Sequence, residues 1–350
     1  MLDDLTALAI FHGTDKFGIH NYSPIYWRLF KDLRDKPIKI LEIGVGGYDS
    51  PDRGGESLAV WRDFFPNGTI VGVDIFEKRL PLGDRVHVLQ GSQVDAVFLA
   101  GVLARFGPFD IIIDDGSHMN KDVVVSFEML FPFLADDGIY VVEDTQTAFF
   151  PYFGGSPDPR AETMISYFAD LFRQMDHAEV LSVHATHPIN PHVRSIASIE
   201  RLHNLIVVRK GDNTYPSNFT FDIGNGEVQR SIAAIETVLA RRPTEGAHAL
   251  LVDMYITGRD FARAEWALAR MASAGFASYP FYYMTTKLLP LVADWEASFR
   301  IAEIAANTAA DKADFYRFLA EFFTGRQDWD RAQEARNRSA AASAAAAATV

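Results

Sequence analysis

The chain has 350 residues, 48% of them hydrophobic, with a formal net charge of −13 and no cysteine. That length and apolar content suffice for one large core plus a smaller one. The acidic balance, with no Lys/Arg cluster, excludes a nucleic-acid partner, the missing cysteines exclude disulfides and thiolate chemistry, and no apolar run is long enough to span a bilayer.

In chain order, the amino terminus (MLDDLTALAIFHG) carries no basic start followed by an apolar core, so a cytoplasmic location is expected. Residues 1–37 read as one or two helices around a polar turn, Gly13-Thr14-Asp15-Lys16. The aromatics Tyr22, Tyr26 and Trp27 that follow are spaced either to pack a helix on a sheet or to meet a ligand. Residues 38–43 (IKILEI) predict a first strand, and Gly44-Val45-Gly46-Gly47 sets bare backbone against a ligand directly after it. A helix is expected from Ser57. The second strand, 69–75 (TIVGVDI), ends in Asp74, a carboxylate suited to the two hydroxyls of a ribose. A short strand at 86–89, a helix at 95–106, the acidic strands within FDIIIDDGSH (109–118) and GIYVVEDT (138–145), and a helix at 123–134 between them complete the alternation of a doubly wound parallel sheet.

An aromatic loop (146–155, QTAFFPYFGG) comes next, in which Phe149, Phe150 and Tyr152 either stack on a ligand or close a hydrophobic lid. A helix is expected over 160–174, and two strands, 178–184 and 195–209 (the latter bent near Asn204), are expected at the sheet edge. The first domain thus spans 1–210, and 211–226 reads as a linker. Beyond it, 227–340 is helical throughout. Segments 247–272 and 315–340 share an aromatic, a Gly-Arg pair, an Asp turn and an alanine-rich face, as in tetratricopeptide-like hairpins, and 282–309 offers room for another. The alanine-rich tail, 341–350, is either a frayed helix or disordered.

Two hydrophobic runs ending in acids place Asp114, Asp115, His118, Glu143 and Asp144 at the carboxyl ends of neighbouring strands, in one crevice. Carboxylates so close repel one another unless a cation sits among them, so the pattern implies a divalent metal. Without cysteine, hard oxygen donors select Mg²⁺, Mn²⁺ or Ca²⁺ over zinc. Glu42-x-Gly44-x-Gly46 after the first strand, with an acid ending the second, is the pattern that holds S-adenosylmethionine in class I methyltransferases.

These residues together resemble the metal-dependent sugar O-methyltransferases of antibiotic biosynthesis. The resemblance extends over residues 10–210 and rests on GTDK (13–16), LEIGVGGYDSPDRGGESLAVWRDFFPNG (41–68), GVDI (72–75), GPFDIIIDDGSH (107–118) and VVEDTQT with the FGG after it. It implies a Rossmann-like α/β fold, Asp115, Glu143 and Asp144 as metal ligands, and His118 as general base. It also implies Glu42, Gly44, Gly46, Asp74, Gln93 and Asp114 around S-adenosylmethionine, and a carbohydrate-containing acceptor. Those enzymes carry a further domain ahead of the methyltransferase, whereas this chain appends helical hairpins, which leaves a natural-product glycoside, a nucleotide sugar and a surface glycan all open as acceptor. The hairpins would serve to dock a protein partner or a second copy of the chain. Two competing readings are a metal-dependent hydrolase, which has no need of the glycine turn or Asp74, and an interaction protein on a degenerate scaffold, which has no reason to keep repelling carboxylates.

Overall fold

A computed structural model describes residues 2–217, 222–276 and 309–348, together with 284, 285, 287, 288, 296, 299, 300 and 303. The chain divides into two compact units, Met1–Thr214 and Tyr215–Val350.

In the first unit the strands are β1 (Lys39–Ile43), β2 (Thr69–Asp74), β3 (Val86–Gln90), β4 (Phe109–Asp114), β5 (Leu134–Val142), β6 (Ile196–Leu202) and β7 (Leu205–Lys210). They form one sheet in the order β3-β2-β1-β4-β5-β7-β6. Strands β1 to β5 pair in parallel, and β7 runs antiparallel to both its neighbours. Central strands read as unbroken apolar runs because both faces are covered. Ile40, Ile70 and Ile111 face a layer built by α1 (Asp4–His12), α2 (Ser23–Phe30) and α3 (Glu56–Phe64). Their chain neighbours Leu41, Val71 and Ile112 point the other way, to α4 (Ala96–Phe106), α5 (Asn120–Leu130) and α6 (Met164–Gln174), as the pleat requires.

Helix α1 is stopped at both ends by local chemistry. Asp3 accepts the Thr6 N–H at its start, and Gly13, at φ 73°, ends it in the left-handed conformation glycine adopts freely. The chain then turns through residues 13–16, and the Lys16 carbonyl accepts the N–H groups of Tyr22 and Ser23, each at 3.0 Å, at the start of α2. The polar turn is thereby pinned beneath the aromatic helix.

The structure departs from the sequence reading at several places. Residues expected as a strand at 178–184 form the short helix α7 (His177–Val183). Only Val180 and Val183 are β-branched there, and β7 already fills the place beside β5. The expected bent strand 195–209 is a hairpin, β6 and β7, reversing at His203-Asn204 with Asn204 at φ 58°, a conformation asparagine tolerates. The helix between the acidic strands begins at Asn120 and ends at Leu130, and β5 begins at Leu134, four residues ahead of Gly138.

The second unit contains α8 (Gly226–Arg241), α9 (Glu245–Thr257), α10 (Phe261–Ser273), α11 (Ala309–Gly325) and α12 (Trp329–Ala347). Leu251, Leu268, Leu319 and Phe323 meet in its core. Helices α9 and α10 form one hairpin and α11 and α12 another. In each turn a left-handed residue precedes an aspartate that caps the next helix: Arg259 (φ 56°) before Asp260, and Gln327 (φ 61°) before Asp328. The Gly-Arg pairs that suggested a repeat therefore sit one position apart in the two turns. Alanine's high helix propensity carries α12 through the tail to Ala347. The hairpin expected at 282–309 lies outside the described residues, apart from isolated positions. Among the described residues no helix is long and apolar enough to cross a membrane.

Candidate active site

A crevice of about 750 Å³ opens at the carboxyl ends of the central strands, within the range of small-molecule sites. Gly44, Gly46, Asp74, Gln93, Asp115, His118 and Asp144 all line it. Gly44 sits at φ 87°, and a Cβ there would lie 2.0 Å from the Asp115 carbonyl oxygen. The turn after β1 thus touches the turn after β4, backbone to backbone. We expect Gly44→Ala to lose at least about 3 kcal/mol of stability, from the left-handed conformation plus the clash. A urea titration checks this, and a wild-type midpoint would refute it. Asp74 holds the same loop from the other side, its Oδ2 accepting the Val45 N–H and its Oδ1 the Phe76 N–H, both at 2.9 Å.

Two expected cofactor residues lie behind the crevice wall and do not line it. Glu42 is fully buried, and its Oε2 accepts the Ser57 hydroxyl at 2.9 Å and the Trp61 indole N–H at 3.0 Å, anchoring α3 to β1. Burial pushes its carboxyl up to about 7, against the opposing pull of Lys16. Asp114 is likewise buried and accepts the Ser126 hydroxyl at 2.5 Å and the Gln93 amide at 3.2 Å. Burial pushes it up to about 6, even with Ser126 and the Gly116 N–H stabilising its charge. Gln93 in turn accepts the Ser117 N–H at 2.7 Å, so Asp114 and Gln93 together brace the turn that carries Asp115 and His118.

On the crevice side Asp115, His118 and Asp144 converge, with one ligand atom from each all within 4.8 Å of one another. His118 Nε2 stands 4.0 Å from Asp115 Oδ1 and 3.8 Å from Asp144 Oδ2. His118 (φ 56°) and Asp144 (φ 52°) are both held in the left-handed region, a strained backbone that concentrates at functional sites. Asp144 Oδ1 accepts the Tyr22 hydroxyl at 2.7 Å. Burial would raise the Asp144 carboxyl, but the Tyr22 hydroxyl and the imidazoles of His118 and His20 hold it below its usual value. Two carboxylates facing open space, with no thiolate near them, fit a hard divalent cation, and the imidazole stands beside them.

Glu143 is not brought into this group. Glu143 is buried, with both oxygens 2.8 Å from Lys16 Nζ and one of them accepting the Tyr26 hydroxyl. Lys16 Nζ also reaches Asp115 Oδ2 at 2.8 Å. Burial alone would lower the Lys16 pKa, but the carboxylates of Asp115, Glu143 and Glu42 more than offset it and hold the ammonium well above its ordinary value. Sequence reasoning gave Lys16 no role, because about a hundred residues separate it from its partners. The available signal was the surplus of strand-end acids, which needed an internal cation. Of the three early aromatics, Tyr22 and Tyr26 turn their hydroxyls to the acids, whereas Trp27 packs edge-on against Phe64. Phe149, Phe150 and Tyr152 are exposed on a loop tied down by the Asn120 amide, which donates to the Phe153 carbonyl at 3.0 Å.

The chain is similar to known proteins over part of its length. Over 216 residues the chain is 43% identical to the 8-demethyl-8-(2-methoxy-alpha-L-rhamnosyl)-tetracenomycin-C 3'-O-methyltransferase of Streptomyces olivaceus, covering 60% of this chain and 55% of that protein. Over 213 residues it is 43% identical to the mycinamicin VI 2''-O-methyltransferase of Micromonospora griseorubida, covering 60% and 53%. The MycE methyltransferase of the mycinamycin biosynthetic pathway, solved with Mg and SAH, matches with a TM-score of 0.60 at 39% identity, over 66% of this chain and 60% of that one. Over that shared stretch the chain is similar to sugar O-methyltransferases. Its seven-stranded sheet is that of the class I methyltransferase fold. The chain spans about half the length of the curated relatives it matches. No protein-family model matches it.

Proposed function

We propose that this chain is an S-adenosylmethionine- and divalent-cation-dependent O-methyltransferase that acts on a hydroxyl of a sugar-containing acceptor. The observation that carries this reading is the meeting, in one crevice, of the Gly44–Gly46 loop and Asp74 with Asp115, His118 and Asp144. The names of the relatives point to the same chemistry on sugars. Such a reaction belongs in the cytoplasm, where its donor is made. A hydrolase built on the same acids leaves the glycine loop and Asp74 without a task.

Each residue then has a role. Gly44 and Gly46 admit the donor to the backbone, and Asp74 binds its ribose hydroxyls. Asp115 and Asp144 would hold the divalent cation, with His118 beside them and Glu143 behind. A divalent cation held there would supply Lewis acidity, lowering the pKa of a sugar hydroxyl beside it. His118 Nε2 takes a sugar hydroxyl's proton as its oxygen attacks the sulfonium methyl, the methyl–sulfur bond breaks to leave a neutral thioether, and Asp144, 3.8 Å away, stabilises the resulting imidazolium. The exposed Phe149, Phe150 and Tyr152 offer stacking surface to the sugar face.

The test is transfer of a tritiated methyl group from S-adenosylmethionine to a panel of rhamnosides with free vicinal hydroxyls. Transfer is expected with Mg²⁺, to fall at least about a hundredfold in EDTA, and to return when Mg²⁺ is restored. Transfer indifferent to EDTA would remove the cation from the reading, and cofactor binding without transfer to any glycoside would remove the sugar.

A further inference from the structure

The acid cluster holds more carboxylates than a cation in the crevice can face, and one side chain answers the surplus. Lys16 Nζ lies 2.8 Å from Asp115 Oδ2, 2.8 Å from each oxygen of Glu143 and 3.4 Å from Glu42 Oε1, with its side chain 3% exposed. These acids come from the ends of three adjacent strands, β1, β4 and β5. Glu42 Oε1 is buried and receives no hydrogen bond, so Lys16 is the cation that answers it. The ammonium is also fixed in place, because the Lys16 carbonyl receives the first N–H groups of α2, whose Tyr26 hydroxyl donates to Glu143.

Resting on the cation-dependent reading of the site, we propose that Lys16 is the internal counter-ion of the metal site. It keeps the strand-end carboxylates assembled when no divalent cation is bound, and it competes with that cation for the charge of Asp115 and Glu143. Removing the ammonium has two opposed effects on the cation. Losing a group that orients ligands weakens metal binding by about 10- to 100-fold. Removing a positive charge from the other oxygen of the same carboxylate strengthens it, because repulsion scales with the product of the charges and is weakly screened at a buried site. Asp115 is gripped by Lys16 on Oδ2 and faces the crevice with Oδ1, so the two cations act on one carboxylate. Glu143, once released, adds a further donor. The Asp115 N–H donates to the Ile43 carbonyl at 2.9 Å, so its backbone keeps its place without Lys16 and the electrostatic effect wins.

The experiment compares wild type with Lys16→Met, which keeps the apolar stem without the charge. Both are stripped with EDTA, melted with and without Mg²⁺, and titrated with Mg²⁺ by calorimetry. Without metal the variant is expected to stay folded but to melt at least about 5 °C below wild type, and to recover most of that loss in saturating Mg²⁺. It is also expected to bind Mg²⁺ at least about tenfold more tightly than wild type. A smaller gain, a loss of affinity, an unchanged metal-free melt, or a variant that folds neither with nor without Mg²⁺ overturns the proposal. Wild type that binds no Mg²⁺ at all overturns the cation-dependent reading itself, whereas wild-type binding with no tightening in the variant overturns only the role of Lys16.

Discussion

Replacing Asp74 with alanine is expected to weaken S-adenosylmethionine binding at least about a hundredfold. Two ribose hydroxyls donating to a carboxylate contribute about 1.5–3 kcal/mol each, and either one alone accounts for a tenfold change. A second loss adds to this, because the same carboxylate accepts the N–H groups of Val45 and Phe76 and so shapes the loop that meets the donor. Calorimetric titration at matched protein concentration reads the change, and a thermal melt separates lost binding from lost fold. Binding within threefold of wild type would remove Asp74 from the donor site and with it the main argument against a hydrolase.

The second large effect is expected at His118. Because its backbone is left-handed at φ 56°, alanine would add strain of its own, and asparagine is the better probe. Asparagine tolerates that conformation, is shorter than histidine and cannot take a proton at neutral pH. His118→Asn is expected to lower kcat for methyl transfer by about 10²- to 10⁴-fold, the range for a positioned general base. Donor affinity is expected to stay near wild type, since the residues assigned to the donor lie on the β1 and β2 loops. Partial recovery at high pH, as hydroxide takes over the proton, would complete the assignment. A kcat within tenfold of wild type would mean that the proton leaves by another route.

The parallel sheet was legible in the sequence because strands buried on both faces must be written as unbroken apolar runs, and their ends are marked by glycine or acid. Residues 39–43, 69–74 and 109–114 read that way directly. The antiparallel edge was less legible. The reversal at His203-Asn204 depends on one asparagine accepting a left-handed turn, and the seven residues of α7 are too few for period to separate helix from strand. Within the site, Asp115, His118 and Asp144 were recognisable from their places at strand ends. Glu143 and Asp144 lie beyond the end of β5, so only the packed structure reveals that Asp144 faces the crevice while Glu143 is buried against Lys16. Lys16 could be inferred only as a missing charge, since no spacing rule links a loop after the first helix to the ends of β4 and β5.

The contact between Gly44 and the Asp115 carbonyl also bears on regiochemistry. With the donor's loop seated directly on the turn that carries Asp115 and His118, the path from methyl group to base is set by rigid backbone and leaves little room for adjustment. On the proposed function, which oxygen of a sugar ring receives the methyl is then decided by how the ring is presented, and the exposed side chains of the segment 146–155, Phe149, Phe150 and Tyr152, are the surface proposed to present it. Exchanging that segment between related enzymes should move the methyl from one hydroxyl to its neighbour while the rate of transfer changes little.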